Sequence, residues 1–227
     1  MKRLVLTLVA ATCLAGTADA ATIYANRAAF EATLASKLVD TFETAQGYPA
    51  AFSVLSDAAM SAVVGQTKYT TTGFANNNII FGNASNQLYC AGCNGSFRVT
   101  FDSTSYGTSA GVFGAGVDVE GNDAGAPYFA FITYGDNSTD NIPLAPTPFG
   151  TPYFFGVTSS LGVKSIDFGF SGGATAQSGS FSIDNLTIGS TTAVPEAPIW
   201  AALILGFGLA GAALRQARGA RVAPAMA

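Results

Sequence analysis

Few side chains in this sequence of 227 residues could act in catalysis, because it contains no histidine. Histidine is the usual general base of serine and cysteine hydrolases and a ligand of most zinc sites, so a catalytic triad is excluded. Carboxylates remain, and Asp118 and Glu120 alternate along one strand-like segment. On one strand face they would lie about 7 Å apart, which suits acid–base hydrolysis of a glycoside. The alternative is the solvated face of an outer strand.

A bound calcium ion is a second hypothesis. The segment Asp136–Asn141 places oxygen ligands at part of the spacing of a calcium loop, but it lacks the glycine and the terminal glutamate that an EF-hand needs. An EF-hand is therefore excluded. Loops of a sandwich domain can still hold one structural calcium through Asp136, Asp140 and Asp184. The alternative is ordinary Asx-turn chemistry between strands.

Cys90 and Cys93 are the only cysteines between residues 21 and 193. In an exported protein we expect them to form a disulfide. Closing so short a loop reduces the entropy of the unfolded chain only slightly and stabilises the fold by about 2 kcal/mol. The disulfide would therefore stabilise a local turn. The alternative is a redox pair, which would need a helix N-terminus, whereas the flanking residues indicate strand and turn.

Sugar binding would need exposed aromatic rings beside polar groups. The single tryptophan, Trp200, lies near the C-terminus. Tyrosines are therefore the candidate platforms, with a place in the core as the alternative: Tyr106, Tyr128, Tyr134 and Tyr153.

Hydrophobic periodicity predicts the elements that would position these side chains. One short helix is predicted within Asn26–Ser36, with Asn26 as its N-cap. Beyond Leu38, short runs rich in Phe, Val, Ile, Tyr and Thr are typical of antiparallel strands. The predicted strands are Ser96–Phe101, Val112–Glu120, Tyr128–Tyr134, Tyr153–Thr158, Val163–Phe170 and Ser180–Ile188.

Alternation along these strands predicts a sheet with one buried and one solvated face. In the last strand the apolar positions shift by one after Ile183, so a β-bulge at Asp184-Asn185 is expected. The predicted fold is all-β, a two-layer antiparallel β-sandwich of the jelly-roll kind spanning residues 21–189. The sequences of its last strands, at Tyr153–Thr158 and Ile183–Ile188, resemble those of the final strands in lectin-like sandwiches on bacterial surface proteins.

The region between residues 21 and 193 is acidic. It holds all but two of the fourteen acidic residues of the chain and half of its ten basic ones. An acidic surface repels phosphate backbones, so a nucleic-acid partner is not expected, whereas neutral polysaccharides and divalent cations are compatible.

The N-terminus has the pattern of a secretory signal peptide. A basic start at Lys2-Arg3 precedes an apolar run, and Ala18-Asp19-Ala20 supplies a small-x-small cleavage site. Residues 1–20 are therefore predicted to be removed on export.

The C-terminus carries a second predicted targeting signal. After a short linker at residues 190–193, a proline- and glutamate-containing box precedes an aromatic residue, an uncharged run at about 199–214 and an arginine-containing end. Such a run forms a helix in lipid, and the following arginines hold its end in the cytoplasm. The motif residues are Pro195, Glu196, Pro198, Trp200 and Arg215.

Residues 194–227 resemble the PEP-CTERM sorting signal of exported proteins of Gram-negative bacteria. The resemblance implies recognition by an exosortase, a membrane protease-transpeptidase, and transient or permanent anchoring in the inner membrane. It implies delivery to the cell surface or to an exopolysaccharide matrix. The alternative is a plain membrane anchor.

Together these features predict an exported surface or matrix protein whose β-sandwich is binding or structural and not an enzyme. Extracellular polysaccharide is the expected partner. The competing hypothesis is a glycoside hydrolase or lyase that uses paired carboxylates such as Asp118 and Glu120.

Overall fold

The computed structural model describes residues 21–170 and 179–191. The predicted signal peptide and the predicted sorting segment lie outside the described residues. Within the described part, neither helix is long and apolar enough to cross a membrane. By its contacts the chain divides into two units, Met1–Ser190 and Thr191–Ala227, and the fold below belongs to the first except for Thr191.

The fold is all-β, as predicted. Within residues 21–170 and 179–191, thirteen strands form a mostly antiparallel sheet. Its main path has the order β11-β10-β12-β9-β13-β6-β5-β3, and β1, β2, β4, β7 and β8 pair beside this path. The strands are β1 Thr22–Tyr24, β2 Leu34–Asp40, β3 Ser53–Leu55, β4 Lys68–Thr71, β5 Asn78–Asn83, β6 Asn86–Ala91, β7 Phe97–Thr100, β8 Gly107–Thr108, β9 Gly111–Glu120, β10 Phe129–Tyr134, β11 Thr139–Pro143, β12 Tyr153–Gly169 and β13 Ser182–Thr191.

The first helix, α1, spans Arg27–Glu31. The side chain of Asn26 accepts a hydrogen bond from the backbone N–H of Ala29 at 2.9 Å, which confirms the predicted N-cap. The prediction that helix extends towards Ser36 is wrong, because β2 begins at Leu34 and pairs with β13. Tertiary strand pairing overrides the helical spacing of this segment.

A second helix, α2, spans Asp57–Val64, so the prediction of a single helix before the C-terminal segment is wrong. The Ser56 hydroxyl accepts a hydrogen bond from the N–H of Ala59, and Gly65 ends the helix at a φ of 72°. Both residues are standard helix-end signals. A 3₁₀ turn at Thr44–Gln46 was also not predicted.

One long strand, β12, occupies the two segments that were predicted as separate strands. Its first half pairs with β9 and β1, and its second half pairs with β10 and β7. Gly162, with a φ of 81°, lies where the partners change. β12 therefore links two sets of strands through a single backbone.

The buried faces of several strands agree with the predicted alternation. The large apolar side chains of β7 and of the segment from Phe181 to Ile188 all lie in the core. The register of β13 against β9 shifts between Asp184 and Thr187, which confirms the predicted bulge. Asn185 takes up the extra residue in a left-handed conformation, with a φ of 49°.

The opposite face of β9 is covered, although the alternation predicted that it would meet solvent. Helix α1 packs over this face, and a Cβ atom on Gly116 would lie only 2.6 Å from Cζ of Phe154. A Cβ on Gly114 would lie 3.0 Å from Phe30, which is fully buried. The alternate glycines of β9 therefore make room for a second apolar layer.

Candidate functional site

A transverse row of side chains crosses five neighbouring strands. In the sheet register, Thr70 of β4 lies beside Arg98 of β7, and Arg98 lies beside Asp167 of β12. Asp167 in turn lies beside Phe131 of β10, which lies beside Asn141 of β11. Residues from five separate segments thus share one line on the face of the sheet that points away from Val99 and Ile166 in the core.

A groove of about 330 Å³ follows this row; we call it the central groove. At its base the Nε of Arg98 donates a hydrogen bond of 2.8 Å to Asp167. The Asp167 side chain is only 9% exposed, whereas that of Arg98 is 52% exposed. The groove is lined by Arg98, Phe131, Ile132, Thr133, Thr139, Asp140, Asn141 and Asp167.

The polar groups of the central groove are largely unused. Within the described residues, the two terminal amino groups of Arg98 have no hydrogen-bond partner, and neither do the side chains of Thr133, Thr139 and Asn141. Arg98 can therefore donate to a ligand while Asp167 holds its guanidinium in place. Hydrogen-bond donors and acceptors that have no protein partner, placed beside an aromatic ring, are typical of a small-ligand site.

Burial raises the pKa of Asp167 above its ordinary value, and the hydrogen bond and charge of Arg98 oppose that shift. The two charges cancel at the base of the groove. Asp140 lies at its rim and accepts a hydrogen bond of 2.7 Å from the Tyr134 hydroxyl. The groove therefore suits a polar ligand without a large net charge.

A second cavity, of about 400 Å³, is lined by Phe149 and by loop residues around Asn122. Its polar groups are mostly engaged by the protein itself. The Asn122 amide donates to the carbonyls of Leu144 and Ala145 and accepts from the N–H of Tyr128. The larger cavity is thus less suited to a polar ligand than the central groove.

The paired carboxylates of β9 are occupied by contacts within the protein. Asp118 forms an ion pair with Arg27 at 3.0 Å and accepts a hydrogen bond from the Asn185 amide at 3.0 Å. Glu120 is 5% exposed and accepts a hydrogen bond from the N–H of Gly150. They share a strand, but neither lines the central groove.

The predicted calcium ligands fall in two places. Asp136 accepts hydrogen bonds from the backbone and hydroxyl of Ser138 in the turn between β10 and β11, which is an Asx-turn arrangement. Asp140 follows on β11, whereas Asp184 lies on β13 opposite Asp118. Among residues 21–170 and 179–191, the structure brings together no group of three or more acidic or cysteine side chains that could hold a metal ion.

The carboxyl group of Asp184 has a raised pKa. Burial, together with the charges of Asp118, Glu43 and Glu120, raises its pKa to about 7, although the backbone N–H of Asn185 opposes the shift. The Asn185 amide bridges Asp184 and Asp118, at 3.1 and 3.0 Å. This arrangement stabilises the bulge and leaves Asp184 partly protonated near neutral pH.

Cys90 and Cys93 are joined by a disulfide, with their Cα atoms 4.6 Å apart. Cys90 belongs to β6 and is fully buried, and Cys93 lies in the turn that follows, with a φ of 61°. The carbonyl of Cys93 accepts a hydrogen bond from the N–H of Phe181, just before β13. The disulfide therefore closes a turn that is hydrogen-bonded to the residue just before β13.

The tyrosines considered as sugar platforms are not exposed rings. Tyr128 and Tyr134 are buried, and Tyr106 and Tyr153 are half-buried against the core. The aromatic residue that lines the central groove is Phe131, which is not among the tyrosines predicted as sugar platforms. Its alternation with buried Ala130 and Ile132 was the available signal, but alternation along one strand does not show which residues on other strands lie beside it.

Comparison with known proteins gives no match: no protein-family model fits the chain, and neither a curated protein nor a solved structure is significantly similar to it.

Proposed function

We propose that this protein is an exported, surface-sorted binding module that holds a neutral polysaccharide in the central groove without cleaving it. The observation that carries this proposal is the Arg98–Asp167 pair, because it is fixed in the groove while the terminal amino groups of Arg98 stay available. The two-layer sandwich is part of the proposal. It is supported by the change of partners along β12, which gives each half of that strand its own neighbours.

The chemistry of the groove matches that of a sugar. Each sugar hydroxyl both donates and accepts, so adjacent hydroxyls are well served by the Arg98 guanidinium and the neighbouring Asp167 carboxylate. The amide of Asn141 and the hydroxyl of Thr133 add further partners along the same groove. The half-buried ring of Phe131 offers an apolar surface for the C–H groups of a sugar ring.

The proposed localisation is based on the two ends of the sequence. The signal-peptide pattern of residues 1–20 supports export, and the likeness of residues 194–227 to a PEP-CTERM signal supports sorting by an exosortase. Its apolar run would anchor the protein in the inner membrane before or instead of processing. An exopolysaccharide matrix is the destination that fits a neutral-glycan ligand.

The hydrolase hypothesis gains no geometric support from the paired carboxylates. Asp118 is held by Arg27 and Asn185, and Glu120 is held by Gly150 in a nearly closed environment. A glycosidase needs one carboxylate free to attack or activate water and another free to donate a proton. We therefore favour binding over hydrolysis.

Binding is tested with the full-length protein in detergent, using a glycan array and the extracted exopolysaccharide of its host. We expect retention on a neutral glycan, with Arg98→Ala weakening it about tenfold or more, equivalent to about 1.4 kcal/mol or more. Lys68→Ala is the matched control, since Lys68 is exposed on β4 and lies outside the groove lining. Retention of the glycan by Arg98→Ala at wild-type strength would overturn the proposal, as would cleavage of the bound glycan.

A further inference from the structure

A second row of side chains runs across the sheet beside the row that contains Asp167. In the sheet register, Ser165 of β12 lies beside Thr100 of β7 and beside Thr133 of β10. Thr133 in turn lies beside Thr139 of β11. Four neighbouring strands therefore present hydroxyl groups in one line, which we call the hydroxyl row: Thr100, Ser165, Thr133 and Thr139.

The hydroxyl row and the row of Asp167 lie on the same face of the sheet. Ser165 comes two residues before Asp167 on β12, and side chains two residues apart in a strand point to the same side, about 7 Å apart. The same spacing separates the two rows on β7, β10 and β11. Thr133 and Thr139 also line the central groove. The groove therefore runs between the two rows where it crosses β10 and β11.

The hydroxyl groups of this row make no hydrogen bond within the described part of the chain. Thr139 is exposed on β11, and Thr100 and Thr133 are half-buried, whereas Ser165 is only 7% exposed. Three of the four residues are therefore accessible from solvent. A hydroxyl donates one hydrogen bond and accepts two, so each can pair with a hydroxyl group of a sugar.

The two rows are longer than one sugar ring. The strand order from β7 through β12 and β10 to β11 puts three strand spacings between Arg98 and Asn141, which is about 14 Å. Thr100 and Thr139 are separated by the same three spacings. A single sugar cannot contact both ends of these rows, whereas several linked sugars can.

The side chains on this face favour a ligand that crosses the strands. Across the strands, each of β7, β12, β10 and β11 offers a polar side chain. Along β10, the face continues from Phe131 to Phe129, whose neighbours in the register are Gly169 and Pro143. Neither neighbour has a polar side chain. A sugar chain laid along β10 would therefore lose its hydrogen-bond partners beyond Phe131.

We propose that the central groove binds a chain of several linked sugars laid across the strands, with one sugar at the Arg98–Asp167 pair and another at Thr139. This inference rests on the proposed function, because it requires a neutral glycan to occupy the groove. It gives that ligand a minimum length and a direction. Thr139 lies three strands from Arg98, so it discriminates long chains from short ones.

The test uses the full-length protein in detergent and oligosaccharides made by partial acid hydrolysis of the host's exopolysaccharide, separated by length from a single sugar upwards. Calorimetric titration gives the dissociation constant for each length. We expect the affinity to rise about tenfold or more with length, until the chain spans β7 to β11. Thr139→Val keeps the shape of the side chain but removes its hydroxyl. It should weaken binding of the longest chains about fivefold, and this loss should shrink as the chains become shorter.

Thr22→Val is the matched control, because Thr22 is exposed on β1 and lies outside the groove lining. It should bind every length as the wild type does. The inference is overturned if a single sugar binds as tightly as the long chains, or if Thr139→Val weakens all lengths equally or none. It is also overturned if Thr22→Val weakens the long chains as much as Thr139→Val. A wild type that binds no oligosaccharide of any length would overturn the proposed function as well, whereas binding that does not depend on length would overturn only this inference.

Discussion

Arg27 joins α1 to β9, because its Nη2 atom lies 3.0 Å from Oδ2 of Asp118, a residue 91 positions further along the chain. The same guanidinium donates to the Thr187 hydroxyl at 2.6 Å and lies 4.7 Å from the centre of the Phe154 ring. This one side chain therefore fixes a helix to three strands, β9, β12 and β13, and neutralises a carboxylate on the covered face.

Replacing Arg27 with methionine should destabilise the fold by about 2 kcal/mol, since the Asp118 carboxylate would lose its cationic partner and keep only the neutral Asn185 amide. Chemical denaturation in urea measures this loss. Lys37→Met is the control, because Lys37 pairs with Glu31 at a more exposed site and should cost about 0.5 kcal/mol or less. Equal losses in the two variants would contradict the role given to Arg27.

Gly116→Ala should cost about 2 kcal/mol, because its new Cβ would lie 2.6 Å from the Phe154 ring in a filled layer. Gly125→Ala is the matched control. The closest atom to a Cβ there is 3.5 Å away, so its effect should stay within about 0.5 kcal/mol. Thermal unfolding of both variants measures the difference, and a neutral Gly116→Ala would show that the Phe154 ring is not packed tightly against β9.

Asp40 is a buried carboxylate that depends on two tyrosines. The hydroxyls of Tyr48 and Tyr69 donate to its Oδ2 at 2.7 and 2.8 Å, and Asp40 itself is 2% exposed. Burial raises the pKa of Asp40, and both hydroxyls oppose that shift. Tyr69→Phe should therefore cost about 2 kcal/mol, as expected for a hydrogen bond to a charged group.

Tyr128→Phe provides the comparison for that variant. The hydroxyl of Tyr128 is buried, and among the described residues it has no hydrogen-bond partner. Removing an unpaired buried hydroxyl should be neutral or slightly stabilising. Urea denaturation of the two Tyr→Phe variants should separate them by about 2 kcal/mol, and a larger loss in Tyr128→Phe would refute this reading.

Asp184 should make stability fall as pH rises. In the unfolded chain its carboxyl group loses its proton near the ordinary value of 3.8, whereas in the folded chain the pKa is raised to about 7. Between these values the folded state binds more protons, so its contribution to stability is full below the unfolded pKa and is lost as pH approaches and passes 7.

The measurement is the difference in unfolding free energy between the wild type and Asp184→Asn at pH values from 4 to 8. Other titrating groups, such as Asp40 and Asp167, are present in both proteins and cancel in this difference. We expect the difference to change in favour of Asp184→Asn as pH rises. Parallel curves would show that Asp184 titrates normally.

The sequence by itself determined the strand-rich class of this protein, several core faces and the bulge in β13. These follow from local rules, because side chains alternate along a strand and a shift of one position between Ile183 and Leu186 must be absorbed by an extra residue. The cap at Asn26 was also local. Helix α2 was missed although Ser56 and Gly65 marked both of its ends.

Only the tertiary structure decided which residues meet. Arg98, Phe131 and Asp167 come from three segments, and their common line depends on strand order and register. The same holds for Arg27 and Asp118, and for the glycine layer under α1. A strand's own sequence specifies which side chains share its face, but the neighbour across the sheet is chosen by the packing of the whole chain.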